Sequence, residues 1–544
     1  MPTTLFALLA REAAGSRRDI FLAVLVSAAA NTAILVIINN AAAALGKGAP
    51  DLRDVGLFLV ALALYVLGLR YTFDSTTRIF EQMLATIRIR LMAQIGHAEL
   101  MAMQKVGRAR IFQAITQDLV IISESQGLLV AAAHSAVMVS CTGLYVLTLS
   151  MPAFLIIVGV IGAGVLLYLS RMAELNRLIT ASTTEEIGFI GMMSDLIDGV
   201  KEVKLSHARR EALLAEIRSI AVRLRDIKMQ TTSVYNSTAL FSQSFFYMLL
   251  GLIVFALPSL VSGFAQHAPE MVATVLFIFG PLSTVITAVP AISKADRAAG
   301  SLIALEGEVS RMVTVPESIQ PPAPLSFRRT LTCKAIEFSY PGEAGETFHI
   351  GPIDLTIRQG EITMFVGGNG SGKTTLLKVM AGLYPALAGA LLIDGKPVAP
   401  GRRPNLRELF GGIFSDFHLF SKLYGITPDT DAIAAHLDRM RIADKVGYDD
   451  GFTTRDLSTG QRKRVAMLVT LLEDRPVLVF DEWAAEQDPE FRHYFYEELL
   501  PELKAAGKTL LIATHDDRYF GVADLVVKME MGVVASTRRR KAMA

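Results

Sequence analysis

Cysteine is nearly absent from this chain: Cys141 and Cys333 are the whole complement in 544 residues. Two thiols cannot build a disulfide framework, and neither sits at a metal-ligand spacing, so both read as ordinary buried thiols. Charge is scarce as well, at 19% of residues against about 25% in soluble domains. What charge there is nearly cancels, to a net +1. A polyanion needs a concentrated basic face, so nucleic acid is excluded as a partner. Tryptophan occurs once, at Trp483. Hydrophobic residues reach 52% and the mean hydropathy is +0.42, which implies that much of the chain faces lipid. At this length at least two domains are expected.

The apolar residues gather into six runs, all in the first three hundred positions: Ile20–Leu45, Val55–Leu69, Gly127–Leu149, Ala153–Arg171, Ser237–Leu260 and Met271–Ile292. Most approach the ~20 residues that cross a bilayer as a helix, with every backbone polar group paired internally. The second is short and needs part of "RYTFDS" to span. Arg11, Arg17 and Arg18 precede the first run, which outlasts a signal-peptide core and is expected to remain as a membrane helix. Loops "GKGAPDLRD", "SMP" and "SGFAQHAP" are short and carry few cations, whereas the segments after the second and fourth runs are long, helical in period and rich in Arg and Lys. The positive-inside bias places both termini and the long segments in the cytoplasm. The helices are expected to project there and turn at elbows near "VGRARIFQAITQD" and "EEIGFIGMMSDLIDG".

Pro316, Pro321, Pro322 and Pro324 break the helical pattern and read as an extended linker. Beyond them, short β-rich runs ("LTCKAIEFSY", "EITMFVGG", "PVLVFDE", "TLLIATHD") alternate with helical ones, which predicts parallel strands with crossover helices. "GGNGSGKTT", comprising Gly367, Gly368, Asn369, Gly370, Ser371, Gly372, Lys373, Thr374 and Thr375, follows one such strand and opens a helix. That is the setting of a phosphate-binding loop, in which backbone N–H groups and the helix N-terminus face phosphate oxygens. Lys373 is placed for the β/γ-phosphates and Thr374 for Mg²⁺. "VFDEWAAEQDP" then reads as a strand ending in working carboxylates. Asp481 is the candidate for Mg²⁺ and Glu482 for polarising the attacking water.

"LSTGQRKR", residues 457–464, lies just before that strand and resembles the signature motif of ABC ATPases, with Thr459 where the family has glycine. The resemblance implies that Ser458, Thr459, Gly460 and Gln461 cap the γ-phosphate held by an opposite subunit. It further implies that Tyr340 stacks on adenine, that His515 is the switch histidine, and that Asp488 is the D-loop aspartate linking two sites. Glu486 has no family role and reads as a solvated acid. In "GIFSDFHLF", Ser415 stands at the Q-loop position. Its hydroxyl could touch Mg²⁺ or a bridging water but has a shorter reach than an amide.

Trp483 is expected to exclude water or fix a loop. Together with Ser415 and "THDDRYF", "DEWAAEQDP" resembles the branch of ABC exporters that moves cyclic or modified peptides, including siderophore precursors. The expected fold is an all-α six-helix transmembrane domain (1–312), a linker (313–329) and an α/β P-loop nucleotide-binding domain (330–544). The expected assembly is a homodimer of half-transporters in the bacterial inner membrane, using ATP and Mg²⁺ to export peptide-like cargo. A lipid flippase and an ATP-gated channel or sensor are the alternatives. His134, Asn31, Gln243 and Tyr247 are polar or amphipathic within predicted spans, where they either mark a cargo pathway or satisfy helix-to-helix hydrogen bonds.

Overall fold

The computed structural model describes residues 3–12, 17–44, 52–260, 268–312, 325–340, 348–427 and 429–540. The chain forms two compact units, one of Met1–Ile89 with Phe112–Ala304, the other of Arg90–Ile111 with Leu305–Ala544. The proline-rich linker falls largely on 313–324, outside the described residues.

A short helix α1 (Thr3–Glu12) precedes α2 (Arg17–Ala44) and the 46-residue α3 (Leu52–His97). Three short pieces follow, α4 (Leu100–Val106), α5 (Arg108–Gln113) and a π-helical turn at Ala114–Asp118. Then come α6 (Leu119–Leu149), α7 (Met151–Asp198), α8 (Val200–Leu205), α9 (His207–Gly251), α10 (Leu257–Leu260) and α11 (Ala268–Met312). Among the described residues six helical stretches are long and apolar enough to cross a membrane, and each overlaps one of the six apolar runs. Leu59, Val60 and Leu67 on α3 remain 57%, 58% and 64% exposed, a pattern suited to lipid rather than water.

Both elbows lie near the segments expected from sequence, with the breaking glycines Gly107 and Gly199 at one end of each. The first is α4, closed by Gly107 at φ 80°, so the turn precedes most of "VGRARIFQAITQD". The second is α8, set between Gly199 and the N-cap Ser206, so the turn follows "EEIGFIGMMSDLIDG". The physical reason is local: residues 108–118 and 185–198 keep helical hydrogen bonding, and the glycines carry the breaks. Around the second elbow, Arg223–Glu185 (3.3 Å) and Lys228–Glu186 (3.2 Å) bridge α9 and α7.

In the second unit, β1 (Thr330–Ser339), β2 (His349–Arg358), β4 (Ala388–Ile393) and β5 (Lys396–Pro397) form an antiparallel sheet of order β2-β1-β4-β5. This corrects the expectation for "LTCKAIEFSY", which is β1 and pairs antiparallel with β2 and β4. Its burial alternates, as fits a strand with one wet face. The strands β3 (Ile362–Val366), β7 (Val477–Asp481) and β8 (Thr509–Ala513) are buried at every position. With β6 (Phe410–Ile413), β9 (Leu525–Glu530) and β10 (Val533–Arg539) they form a second sheet, ordered β10-β9-β3-β8-β7-β6 and parallel except at β10. Alternate residues feed two cores: Met364, Leu478 and Phe480 on one face, Phe365, Val477 and Val479 on the other. Burying each such side chain contributes about 1.5–3 kcal/mol. The sheet therefore holds the carboxyl ends of β3, β7 and β8 rigidly side by side, where the candidate site lies.

Candidate active site

The site begins where β3 runs out. Gly367 takes φ 148°, and an added Cβ would lie 2.2 Å from the Met529 carbonyl oxygen, so no other residue fits. Gly370 and Gly372 are also left-handed, and the chain then enters α12 (Lys373–Met380), whose first N–H groups have no intrahelical acceptor. A cavity of about 370 Å³ opens here, lined in part by Phe348, Asn369, Ser371, Lys373, Thr374 and Glu482. The Ser371 hydroxyl is buried in it with no hydrogen-bond partner. An orphan hydroxyl, an ammonium and a helix N-terminus in one cradle fit a polyphosphate.

Lys373 is 5% exposed, and its Nζ donates to the carbonyls of Gly367 (3.0 Å) and Gly368 (3.1 Å). Burial lowers its pKa, while the nearby carboxylates of Glu482 and Asp481 pull the other way. Asp481 is fully buried at the end of β7 and accepts from the Thr374 hydroxyl at 2.9 and 3.0 Å. A hydroxyl and a carboxylate meeting at one point are the hard oxygen donors that Mg²⁺ prefers. Ser415, exposed on the loop after β6, reaches Asp481 Oδ2 through its backbone N–H at 3.3 Å.

Glu482 adopts φ 51° and ψ 34°, a left-handed conformation that costs a non-glycine residue about 1–3 kcal/mol. The surroundings hold it there, since its N–H donates to the Ala513 carbonyl at 3.0 Å and its C=O accepts from Lys463 Nζ at 2.9 Å. Its carboxylate is thereby aimed at His515 Nε2 (3.0 Å) and Lys373 Nζ (3.8 Å). His515 Nε2 also lies 3.2 Å from Lys373 Nζ. One ring nitrogen can accept from lysine or donate to glutamate, but not both, so its protonation selects the partner. The residues expected to hold phosphate, metal and attacking water, and the expected switch histidine, thus lie together at one strand end.

Tyr340 is half-buried, its hydroxyl 3.2 Å from Thr375 Oγ1 and its ring edge-on to Phe338 and Tyr384. Helices α13 (Arg403–Arg407) and α14 (Thr430–Arg439) lead towards α15 (Thr459–Leu472), which carries the signature. Ser458 caps α15 in a reciprocal box with Gln461, and the Gly460 carbonyl accepts from Gln487 Nε2 at 3.1 Å. Ser458 and Thr459 are solvent-exposed. Among the described residues no hydrogen bond joins Ser458–Gln461 to the phosphate loop of the same chain. Asp488 caps α16 (Pro489–Tyr494), and the Phe491 N–H, followed by Arg464, holds its carboxyl below the usual range. The chain then passes to α17 (Leu500–Ala505).

Sequence reasoning missed several partners. Lys463 and Arg464 clasp the segment after β7, Lys463 also lying 3.6 Å from Glu486 and Arg464 pairing with Asp488. Glu99, at the first elbow, accepts from Arg407 (2.9 Å) and lies 3.6 Å from Arg403. The Tyr384 hydroxyl, its pKa pushed up to about 12 by burial, donates to Gln104 (3.3 Å). These partners are separated by up to 308 residues, so no spacing signals them.

The four membrane candidates are not brought together as a hydrogen-bonded group. Asn31 donates to Met138 Sδ at 3.1 Å, and His134 is buried near the Tyr65 ring. Gln243 and Tyr247 are exposed on α9. The polar node that sequence did not single out is Asn39, which reaches Thr274 Oγ1 (3.4 Å) and Tyr145 Oη (3.5 Å).

Residues 350–485 match the family described as ABC transporter. The chain is 36% identical over 408 residues to the ATP-binding protein SyrD of Pseudomonas syringae pv. syringae, covering 72% of each. It is 26% identical over 388 residues to an ATP-dependent lipid A-core flippase of Burkholderia orbicola, covering 67% of this chain and 62% of the relative. Its fold is similar to that of a bacterial Atm1-family ABC exporter with ATP bound, at TM-score 0.79 and 18% identity over 98% of this chain and 96% of that one. With the phosphate cradle, the strand-end carboxylates and the six membrane helices already in place, these likenesses make the chain a member of the ABC transporter family, an exporter-type half-transporter whose ATP hydrolysis drives transport.

Proposed function

We propose that two copies of this chain form a homodimer in the inner membrane and export a cyclic or otherwise modified peptide, siderophore precursors included, by alternating access. The observation that carries the dimer is the exposed signature at Ser458 and Thr459, unbonded to its own phosphate loop. Each nucleotide would be held between Gly367–Thr375 of one copy and Ser458–Gln461 of the other, with Tyr340 against adenine and Asp488 linking the two sites. Glu482 would take the proton of the attacking water, and His515 would hold that carboxylate and the γ-phosphate side of the site together. Closure would favour the outward-facing state through tighter ATP binding to it.

The functional division proposed is a membrane domain at 1–312, a linker at 313–329 and a nucleotide-binding domain at 330–544. Residues Arg90–Ile111 belong by sequence to the first yet fold within the second compact unit. There Leu100 and Met101 pack on its core, and Tyr384 connects Gln104 to the Tyr340 ring. This is a direct physical route from nucleotide to elbow.

Bound Mg²⁺ would neutralise phosphate charge, with Thr374 and Asp481 as its protein donors. Ser415 is proposed to act through its backbone N–H on Asp481, its one hydrogen bond to a site residue among the described residues. Ser415→Ala keeps that N–H, so phosphate release by the purified protein should stay within threefold of wild type. A loss beyond tenfold would place the hydroxyl itself in the metal shell.

The cargo class is supported by "DEWAAEQDP", Ser415 and "THDDRYF" acting as one pattern. The likeness to a lipid A-core flippase favours lipid as the second reading. Proteoliposomes with outward-facing nucleotide-binding domains distinguish them. A cyclic peptide should stimulate ATPase several-fold and accumulate in the lumen only with ATP. Stimulation and flipping of a labelled lipid, with no peptide uptake, would replace the peptide reading.

A further inference from the structure

Lys463 is a lysine with almost no solvent. It sits one turn into α15, within the signature and 4% exposed, against the segment that follows β7. Its ammonium is aimed at the Glu482 carbonyl oxygen (2.9 Å), with the Glu486 carboxylate 3.6 Å away. Trp483, the next residue after Glu482 and 1% exposed, returns the contact: its indole Nε1–H donates to the Lys463 carbonyl at 3.0 Å. The indole ring is wedged against Phe495, centroids 4.6 Å apart, and tilted 6.0 Å from Phe491.

Two side-chain-to-backbone hydrogen bonds running in opposite directions, Lys463 Nζ to the Glu482 carbonyl and the Trp483 indole N–H to the Lys463 carbonyl, make a latch. The Glu482 N–H is already tied to Ala513 at the end of β8, so Lys463 closes the other side of the same residue. A left-handed glutamate persists only where its surroundings over-determine it. Without the ammonium, the Glu482–Trp483 peptide is free to rotate towards a right-handed conformation, and the carboxylate swings off His515 and Lys373. The buried ammonium has little else to do here, and the indole N–H has no other partner among the described residues.

We propose that Lys463 and Trp483 are positioning residues that fix the Glu482 carboxylate and tie its aim to the position of the signature helix. The proposal rests on the reading of Glu482 as the base. In the proposed dimer α15 serves the partner's nucleotide, so the latch would let the state of one site reach the carboxylate of the other.

Three variants of the full-length protein in proteoliposomes test this by the ATP dependence of phosphate release. Lys463→Met keeps an unbranched apolar stem and removes the ammonium. It should lower kcat at least tenfold, equal to about 1.4 kcal/mol, and leave KM for ATP within twofold. Trp483→Phe keeps a ring and removes the N–H, and should lower kcat threefold or more, again with KM unchanged. Trp483 is the only tryptophan, so its fluorescence reports the latch directly, and acrylamide quenching should rise in Lys463→Met. If both variants turn over within twofold of wild type, or if kcat and 1/KM fall by the same factor, the latch does not position Glu482. Should Lys463→Met fail to fold, Trp483→Phe alone decides by the same kcat criterion. Glu482→Gln assayed in parallel separates the two claims: wild-type turnover there removes the base assignment, while unchanged turnover in Lys463→Met beside a dead Glu482→Gln removes only the latch.

Discussion

Glu482→Gln should lower steady-state ATP hydrolysis by about 10²–10⁴-fold, the range that a positioned general base supplies. The substitution keeps the side chain's size and one oxygen for His515, now 3.0 Å from Oε1, but an amide cannot take a proton from water. Binding should survive, because the proposed phosphate contacts belong to the glycine loop, Ser371 and Lys373. Removing a negative charge beside the phosphates also relieves repulsion, so affinity should be equal or higher. Equilibrium binding of ATP and single-turnover phosphate release separate the two quantities. A variant hydrolysing within twofold of wild type would pass the role to another group, with His515 next in line by position.

How much of this was readable in the chain depends on how far apart the partners lie. The phosphate loop, the strand-end pair Asp481–Glu482 and the signature were legible because each is a contiguous run whose backbone geometry is set locally. The six membrane spans were legible for the same reason, since a lipid-facing helix must be apolar along its own length. Long-range pairing left no such mark. The strand Thr330–Ser339 has a hydrophobic alternation that any sheet would accept, and only its antiparallel partners reveal the second sheet. Asp296 accepts from the N–H groups of Thr4 (3.0 Å) and Leu5 (2.8 Å), capping α1 from 291 residues away, and nothing in "SKADRAAG" announces it. Nothing in "LSTGQRKR" singles out Lys463, because its burial is a property of the packed loop and not of its neighbours in sequence. Glu486, read as a solvated acid, is about half-exposed yet lies against that lysine.

Lys373→Met should severely weaken nucleotide binding and, in the absence of nucleotide, leave the fold at least as stable as wild type. Losing one partner of a buried charge-assisted contact costs about 2–5 kcal/mol, which corresponds to a rise in Kd of about 30- to 5,000-fold. The stability expectation follows from the direction of the pKa shift. Burial lowers the Lys373 pKa below its ordinary 10.5 and outweighs the pull of Glu482 and Asp481. The folded chain therefore holds this proton less tightly than the unfolded chain does, so the charged ammonium opposes folding at neutral pH. That penalty is constant below the folded-state pKa and fades as pH rises from there towards 10.5. Methionine carries a similar stem with no charge to bury. Thermal unfolding should give the variant a Tm equal to or above wild type at pH 7, with the gap narrowing in the alkaline range. Adding Mg²⁺-ATP at one hundred times the wild-type Kd should stabilise the wild type by about 2.7 kcal/mol and the variant by less than about 1 kcal/mol. If the variant keeps the nucleotide-dependent Tm rise, the buried ammonium is not what the phosphates bind. If instead it unfolds at a lower Tm than wild type without nucleotide, Lys373 holds the loop together through the Gly367 and Gly368 carbonyls, and those bonds outweigh the cost of its burial.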